Sequence, residues 1–263
     1  MSMISLRRLT RRFRHLCAVD ALDLEVEAGE IFGLVGRNGA GKTTTIKMLT
    51  TLVPPSDGTA SIAGHDIVRE AADVRRVIGY VPQALSADGE LTGYENLLVF
   101  AKLYDLPRAE RRRRIDEALR FMDLSEAAGR LVRAYSGGMI RRLEIAQSTL
   151  HRPKVLFLDE PTVGLDPLAR HAVWQHVGRL NRELGTTVVI TTHYMDEAEA
   201  LCGRLAIMHG GRLAAVDTPQ GLKARVGPQA TLDEAFARFT GGAEHEAAYA
   251  AVSRERSAAG RLG

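Results

Sequence analysis

Apolar residues recur along this chain with the two periods that mark strands and helices. Leu22, Leu24 and Val26 alternate with acidic residues, which predicts a half-buried strand. Largely apolar runs predict buried strands at 31–35, 77–81, 155–158 and 187–191. Further strand patterns lie at 59–63, 205–209 and 212–216. Between the last two, Gly210-Gly211 is a two-residue hairpin signal.

Helical spacing fills the intervals between these strands. A helix is predicted from about Thr43 to Leu52, before Pro54-Pro55. Three further helices have inward faces made of apolar residues three or four positions apart: Ile115, Ala118, Leu119 and Met122; Leu143, Ala146 and Leu150; Val173, Val177, Leu180 and Leu184. Gly185 is predicted to end the last of them.

Local capping signals place the remaining helix starts. Thr92 with Glu95, and Thr231 with Glu234, form capping boxes, and Pro107 suits a first-turn position. Gly64-His65-Asp66 is predicted to be a turn. Because helical patterns dominate from about residue 84, we expect a helical insert at about 84–150 within an α/β core.

Composition is that of an ordinary globular protein and excludes few functions. The 263 residues are 45% hydrophobic and 25% charged, and the net charge of +3 permits an anionic partner without requiring one. Cys17 and Cys202 are too few for a disulfide framework, which favours a reducing compartment. Arginines between positions 7 and 14 interrupt any secretory apolar segment, and no run approaches the ~20 apolar residues of a membrane span. We therefore expect a chain that does not itself cross a membrane.

A glycine-rich segment directly after the strand at 31–35 carries the most specific chemistry. Its residues are Gly36, Arg37, Asn38, Gly39, Ala40, Gly41, Lys42 and Thr43, which fit the pattern Gly-x-x-x-x-Gly-Lys-Ser/Thr. Such a loop turns backbone N–H groups and a helix N-terminus toward an anion. Lys42 would reach the β- and γ-phosphates of a nucleotide, and the Thr43 hydroxyl would ligate Mg²⁺. The alternative, a glycine-rich turn that only caps a helix, fits the strand–loop–helix context less well.

Several polar positions at later strand ends have both a functional and an ordinary explanation. Asp159-Glu160 follows the run at 155–158, where ligands bind in open α/β sheets, although a solvated strand end has the same pattern. Gln83 is either a surface residue or a ligand of Mg²⁺ or water. His193 is either structural or, because it follows a strand at the same edge, a γ-phosphate contact.

Three other segments leave similar alternatives. Ser136-Gly137-Gly138 opens a helix and is either a second anion site or a common loop sequence. Phe13 is either a half-exposed strand residue or a platform for a purine ring. The basic run Arg111–Arg114 is typical of a solvated helix face, and less often of a docking patch for an acidic partner or lipid head groups.

Together these motifs occur in the order and spacing of an ABC transporter ATP-binding subunit, which the chain resembles from about Met3 to Phe239. Tyr135–Met139 and Ala230–Phe236 resemble the drug-resistance branch that pairs with ABC-2-type permeases. The resemblance implies a P-loop NTPase α/β core with an antiparallel β subdomain and a helical insert in residues 1–240. Residues 241–263 are expected to form a flexible tail.

The resemblance also implies residue roles. ATP would be held by Phe13 on adenine, by residues 36–43 and Thr44 on the phosphates, and by Ser136, Gly137 and Gly138 of an opposing subunit. Mg²⁺ would be held by Thr43, Gln83 and Asp159. Hydrolysis would use Glu160 as general base and His193 as γ-phosphate sensor, together with Lys42 and Gln83.

The implied function is that of an ATPase that powers a separate integral membrane permease, with export favoured over import. The expected partners are that permease and a second copy or a homologous ATPase subunit, at the cytoplasmic face of the membrane, and no nucleic acid is expected. A soluble ABC ATPase of translation or DNA repair is the rival. Translation types usually carry two such cassettes in one chain, whereas this sequence has one. Repair types place a long coiled coil between the phosphate loop and Ser136-Gly137-Gly138, whereas only about ninety residues separate Thr43 from Ser136 here. A GTPase is disfavoured because an Asn-Lys-x-Asp motif is missing.

Three positions depart from the family pattern. Met139 stands where the family often has Gln, Tyr135 replaces the usual Leu, and Val163 replaces a small polar residue. Because Lys42 and Glu160 are unaffected, catalysis is expected to persist.

Overall fold

The structure of the protein is a computed structural model that describes residues 2–241. Apart from Gly241, the tail expected at 241–263 lies outside the described residues. The strands are β1 (Ser2–Phe13), β2 (Leu16–Glu27), β3 (Ile31–Val35), β4 (Asp57–Ile62), β5 (His65–Asp66), β6 (Ile78–Val81), β7 (Val155–Asp159), β8 (Thr187–Thr192), β9 (Arg204–His209) and β10 (Arg212–Asp217). The helices are α1 (Lys42–Leu49), α2 (Ala71–Val77), α3 (Gly93–Leu103), α4 (Arg108–Phe121), α5 (Gly137–Thr149), α6 (Pro167–Leu184), α7 (Met195–Leu201), α8 (Pro219–Ala224) and α9 (Leu232–Phe239).

Two sheets organise the described residues. One is antiparallel with strand order β2-β1-β4-β5, and the other has the order β10-β9-β3-β8-β7-β6. In the second sheet β9, β3, β8, β7 and β6 pair in parallel, and β10 adds an antiparallel edge. The predicted α/β class is confirmed, and the antiparallel sheet agrees with the expected β subdomain.

The six-stranded sheet separates two apolar cores. Val155 and Phe157 of β7 enter the core shared with the antiparallel sheet, whereas Leu156 and Leu158 enter the core shared with the helices. Successive side chains of a strand point to opposite faces, so a strand covered on both faces must be apolar at every position. This requirement explains the uninterrupted apolar run at 155–158.

Most local signals of the sequence are confirmed. Both capping boxes form, Gly185 ends α6 with φ +66°, and Gly210 and Gly211 both have positive φ between β9 and β10. Positive φ at two central residues matches the hairpin turn that these glycines predict.

Other expectations need correction at their boundaries. The helix expected to reach Leu52 ends at Leu49, because Thr51 turns the chain with φ +61°. Val77 closes α2 instead of opening β6, and the turn expected at 64–66 contains the short strand β5, which pairs with β4. Helix α4 begins after Pro107, which occupies the cap position.

One core residue is placed wrongly by the helical pattern. Leu184, expected to face inward, is 53% exposed because it lies in the last turn of α6, beyond the covered part of the helix. The other three members of its apolar stripe are buried.

Helices α3, α4 and α5 occupy the region of the expected helical insert, and a buried ion pair on α5 attaches them to the segment after β6. Arg141 and Glu144 are each 2% exposed, and Arg141 Nη1 lies 2.9 Å from Glu144 Oε2. Arg141 also donates to the carbonyls of Pro82 and Gln83, each at 2.7 Å. Glu144 accepts from the backbone of residues 86 and 87 and from the Ser86 hydroxyl. The pair therefore fixes both ends of the segment 82–87 against α5.

We expect Arg141→Met to lower the free energy of unfolding by about 3–5 kcal/mol, because it leaves Glu144 buried without its cation. Arg113→Met is the matched control, since the Arg113–Glu117 pair is exposed and such i,i+4 pairs contribute about 0.3–0.5 kcal/mol. Urea denaturation of both variants provides the measurement. Equal denaturation midpoints for the two variants would contradict the structural importance of the buried pair.

Candidate functional site

The carboxyl ends of the parallel strands bring the predicted site residues to one edge of the six-stranded sheet. Val35 of β3 pairs with Thr192 of β8, and Asp159 of β7 pairs with Thr191. The glycine-rich loop therefore begins beside His193 and beside Asp159-Glu160. Gln83 follows β6 at the same edge.

The backbone of the glycine-rich loop permits only glycine at critical positions. Gly39 and Gly41 have φ of +83° and +104°, in the left-handed region that disfavours side chains. A Cβ at Gly36 would lie 2.8 Å from the Met208 carbonyl oxygen, and one at Gly41 would lie 2.5 Å from the Ala18 carbonyl oxygen. Glycine at these positions therefore lets the loop pack against the backbone of residues 18 and 208 as it leads into α1.

Lys42 is 4% exposed and lies at the centre of the site. Its ammonium donates to the Gly36 carbonyl at 2.7 Å and to the Arg37 carbonyl at 3.3 Å. Its Nζ lies 3.0 Å from Glu160 Oε1, so the buried cation and the buried carboxylate neutralise each other.

A cavity of about 550 Å³ adjoins this loop. Its lining consists of residues 16–18, residues 38–44, Gln83, Glu160 and Gly210-Gly211. Among the described residues, Phe13 is not part of this lining: it is 41% exposed, and the Arg11 guanidinium lies 4.5 Å from its ring centroid. Leu16, 64% exposed on the other arm of the same hairpin, is the apolar side chain that adjoins the cavity.

The two adjacent acids make different contacts. Asp159 Oδ1 accepts from the Thr43 hydroxyl at 3.1 Å and from the Thr191 hydroxyl at 2.6 Å. Glu160 leaves the strand with φ +47°, an unusual value for a residue with a side chain. The sharp change in backbone direction sends Asp159 toward Thr43 and Glu160 toward Lys42.

Gln83 and His193 both approach the second oxygen of Glu160. Gln83 Nε2 donates to Glu160 Oε2 at 3.4 Å, and His193 Nδ1 lies 3.3 Å from the same atom but outside hydrogen-bonding geometry. The structure therefore brings Lys42, Gln83, Glu160 and His193 together.

Tyr80 lies near Asp159. Burial raises the pKa of Tyr80 to about 12, and the charge of Asp159 acts in the same direction.

Among residues 2–241, the lining of this cavity does not include Ser136, Gly137 or Gly138. Ser136 caps α5 by accepting from the Met139 amide at 3.3 Å, and it is exposed together with Gly137. Gly138 is buried, and a Cβ there would lie 2.7 Å from Ala169 Cβ at the start of α6. The segment thus packs against α6 of its own chain and presents its first two residues to solvent.

Sequence reasoning missed a buried acid, Glu197, on α7. Its Oε1 accepts from the Thr162 hydroxyl and from the Trp174 indole, each at 2.8 Å. Burial raises the pKa of this carboxyl, and the hydrogen bonds it accepts oppose that effect. In the sequence Glu197 is one of several acids that follow His193, so no local signal distinguishes it from a surface residue in a first helical turn.

The residues at this edge fit ATP with Mg²⁺. Two glycines in the left-handed region, a buried lysine and a helix N-terminus suit a polyphosphate. The Thr43 hydroxyl and the Asp159 carboxylate, joined at 3.1 Å, are the hard oxygen ligands that Mg²⁺ prefers.

Comparison with known proteins decides the family. Residues 19–163, more than half of the chain, match the family model described as ABC transporter. The chain belongs to the ABC transporter family. Its fold is that of the ABC ATPase domain, and its activity is ATP hydrolysis.

Two curated relatives and one solved structure illustrate the similarity. The daunorubicin resistance ATP-binding protein DrrA3 of Streptomyces coeruleorubidus is 46% identical over 217 residues, which are 82% of this chain and 68% of the relative. The linearmycin resistance ATP-binding protein LnrL of Bacillus subtilis is 39% identical, over 86% of this chain and 72% of the relative. The ATP-binding cassette MJ0796, solved as a dimer in a post-hydrolysis state bound to ADP and Pi, has a TM-score of 0.73 and 27% identity. That match covers 82% of this chain and 98% of MJ0796. Within residues 2–241, each helix of the ABC ATPase described here is too short or too polar to cross a membrane.

We expect Lys42→Ala to reduce ATP turnover on the order of a hundredfold or more, because the variant lacks the cation that we expect to contact the phosphates. Lys47→Ala, an exposed lysine on the same helix α1, is the matched control and should retain turnover. Phosphate release by purified protein is the measurement, with circular dichroism to confirm folding. Wild-type turnover in folded Lys42→Ala would disprove the assignment of the phosphate loop.

Proposed function

We propose that this ATPase energises a separate integral membrane permease that exports a drug-like or hydrophobic compound. The observation that carries the proposal is the meeting of the phosphate loop, Asp159-Glu160, Gln83 and His193 at one sheet edge in a chain similar to drug-resistance ATP-binding proteins. Daunorubicin and linearmycin are named for those relatives. For this chain they support only the class of compound and the direction of transport.

The contacts within the site support a division of roles. Lys42 and the loop amides would hold the phosphates, with Thr44 at the start of α1. Thr43, Gln83 and Asp159 would hold Mg²⁺, which when bound neutralises charge on the β- and γ-phosphates. Glu160 would accept a proton from water, and His193 would contact the γ-phosphate.

The position of Glu160 supports its role as general base. Its carboxylate is 5% exposed and lies within 3.4 Å of side-chain nitrogens of Lys42, Gln83 and His193. Lys42 and Gln83 hold the carboxylate at the wall of the cavity, with His193 beside it, and a water in line with the γ-phosphate would lie within reach.

We propose that a second subunit completes the site. Ser136 and Gly137 are exposed outside the cavity of their own chain, so they are available to the nucleotide of an opposing subunit. The dimeric form of MJ0796 supports this arrangement. Two copies of this chain, or this chain with a homologous subunit, would then close over two ATP molecules.

Exposed apolar residues on α3 and in the segment before it support docking to a permease at the cytoplasmic face of the membrane. Val99 and Leu103, one helical turn apart on α3, are 41% and 70% exposed, and Leu85 in the segment that leads toward α3 is 50% exposed. The basic run at 111–114 is less suited to membrane contact, because Arg112, Arg113 and Arg114 each lie near a carboxylate of their own helix.

We expect Glu160→Gln to bind ATP and retain it, because the amide keeps the shape of the carboxylate but cannot take a proton from water. In Mg-ATP the variant should elute as a dimer from size exclusion, and without nucleotide as a monomer. Glu126→Gln, which changes an exposed acid, should hydrolyse ATP and should not accumulate as a dimer. If Glu160→Gln stays monomeric in both conditions, either the base assignment or the paired-subunit proposal is wrong.

We expect the protein to sediment with membranes only when it is co-expressed with its permease. Leu103→Asp should reduce that association because it places a charge in an apolar contact, whereas ATP turnover of the purified variant should be unchanged. Val68→Asp, at an exposed apolar residue outside α3, is the control. Binding of the lone protein to anionic vesicles would contradict docking through the permease, and association with ribosomes or DNA would favour the soluble alternative.

A further inference from the structure

A threonine on the strand beside the acid pair contacts both acids through one hydroxyl. Thr191 of β8 is fully buried and pairs with Asp159 across the parallel ladder. Its Oγ1 donates to Asp159 Oδ1 at 2.6 Å and accepts from the Glu160 backbone N–H at 2.9 Å. A hydroxyl has one proton to donate and lone pairs to accept, and here both capacities are used.

The contact with Glu160 acts where the backbone is unusual. Glu160 has φ +47°, and its amide is directed to both the hydroxyl and the carbonyl oxygen of Thr191, the latter at 3.1 Å. Left-handed backbone is unfavourable for a residue with a Cβ and persists when its surroundings hold it. Thr191 therefore secures the turn that sends Glu160 toward Lys42.

The contact with Asp159 sets the direction of its carboxylate. Within the described residues, Thr43 and Thr191 are the two side chains that donate to Asp159 Oδ1. Thr43 belongs to the phosphate loop, and its hydroxyl would itself serve Mg²⁺. The Thr191 hydroxyl belongs to the sheet, so it can hold Asp159 whether or not Thr43 changes its partner.

We propose that Thr191 is a positioning residue that sets the metal-binding carboxylate of Asp159 and the general base Glu160 at the same time. The inference rests on the proposed roles of these two acids and extends them to a fully buried residue that, among the described residues, is not part of the cavity lining. Its consequence is that one buried hydroxyl links Mg²⁺ affinity to turnover.

A second buried threonine on β8 provides the matched control. Thr187 is fully buried at the opposite end of the strand, and its hydroxyl accepts from the Gly29 amide at 2.9 Å. Thr187→Val removes a buried hydroxyl from the same strand far from the acids. Thr187→Val therefore shows how the loss of a buried hydroxyl affects folding alone.

The test compares Thr191→Val, which keeps the shape, with Thr191→Ser, which keeps the hydroxyl, and with Thr187→Val. One readout is the Mg²⁺ dependence of binding of a fluorescent ATP analogue, with EDTA as the metal-free reference. The others are kcat, KM for ATP and the thermal midpoint. For Thr191→Val we expect about a 10–100-fold rise in the Mg²⁺ concentration for half-maximal binding and a similar fall in kcat. Binding in EDTA should be unchanged because the phosphate loop is intact, and Thr191→Ser should stay close to wild type.

Several outcomes would overturn the inference. The inference is wrong if Mg²⁺ dependence and kcat are unchanged in Thr191→Val. It is also wrong if Thr187→Val loses as much Mg²⁺ affinity and kcat as Thr191→Val, because the losses would then come from weakened folding. If Thr191→Val does not fold, Thr191→Cys keeps the size with a weaker donor and should show an intermediate loss; a wild-type response would contradict the proposal. Absence of turnover in the wild type would instead refute the proposed function, while the Mg²⁺-dependent binding still tests Thr191.

Discussion

Parallel pairing of β3, β8, β7 and β6 is the constraint on which the rest of the site depends. It aligns the carboxyl ends of strands that are far apart in sequence, so that the phosphate loop, Asp159, Gln83 and His193 share one edge. Because side chains alternate along each strand, a register shift of one residue would exchange the two cores and turn Asp159 away from Thr43. The apolar side chains that fix the register therefore also fix the chemistry.

Two buried ion pairs near this edge are tolerated because each brings a cation against an anion. Lys42 faces Glu160, and Arg141 faces Glu144 on the helix that begins beside Ser136. Burying a lone charge is costly, and paired charges in fixed geometry are less so. The two pairs lie on either side of Gln83: its side chain contacts Glu160, and its carbonyl accepts from Arg141. Gln83 is thereby held between the Lys42–Glu160 pair and helix α5.

Sequence alone predicted the features whose chemistry is local. The phosphate loop, the capping boxes, the Gly210-Gly211 hairpin and the apolar central strands each depend on residues a few positions apart. The long strand β1 shows no clear alternation in the sequence because arginines interrupt its apolar positions. Thr191, Glu197 and the Arg141–Glu144 pair carry no local signal because each bonds to groups 23 to 59 residues away, from Trp174 for Glu197 to Pro82 for Arg141. Residues with nonlocal partners become recognisable once the register is known.

Trp174 is the single tryptophan of the chain, and its position gives it a spectroscopic use. Its indole stacks on His171, with ring centroids 4.8 Å apart, and its N–H is bonded to the carboxylate that also holds Thr162, two residues after Glu160. Indole emission responds to hydrogen bonding and to a neighbouring imidazole. Tryptophan emission of the unlabelled protein, excited selectively over the six tyrosines, therefore comes from this one side chain. Displacement of the segment that follows Glu160 can be followed through it optically in real time.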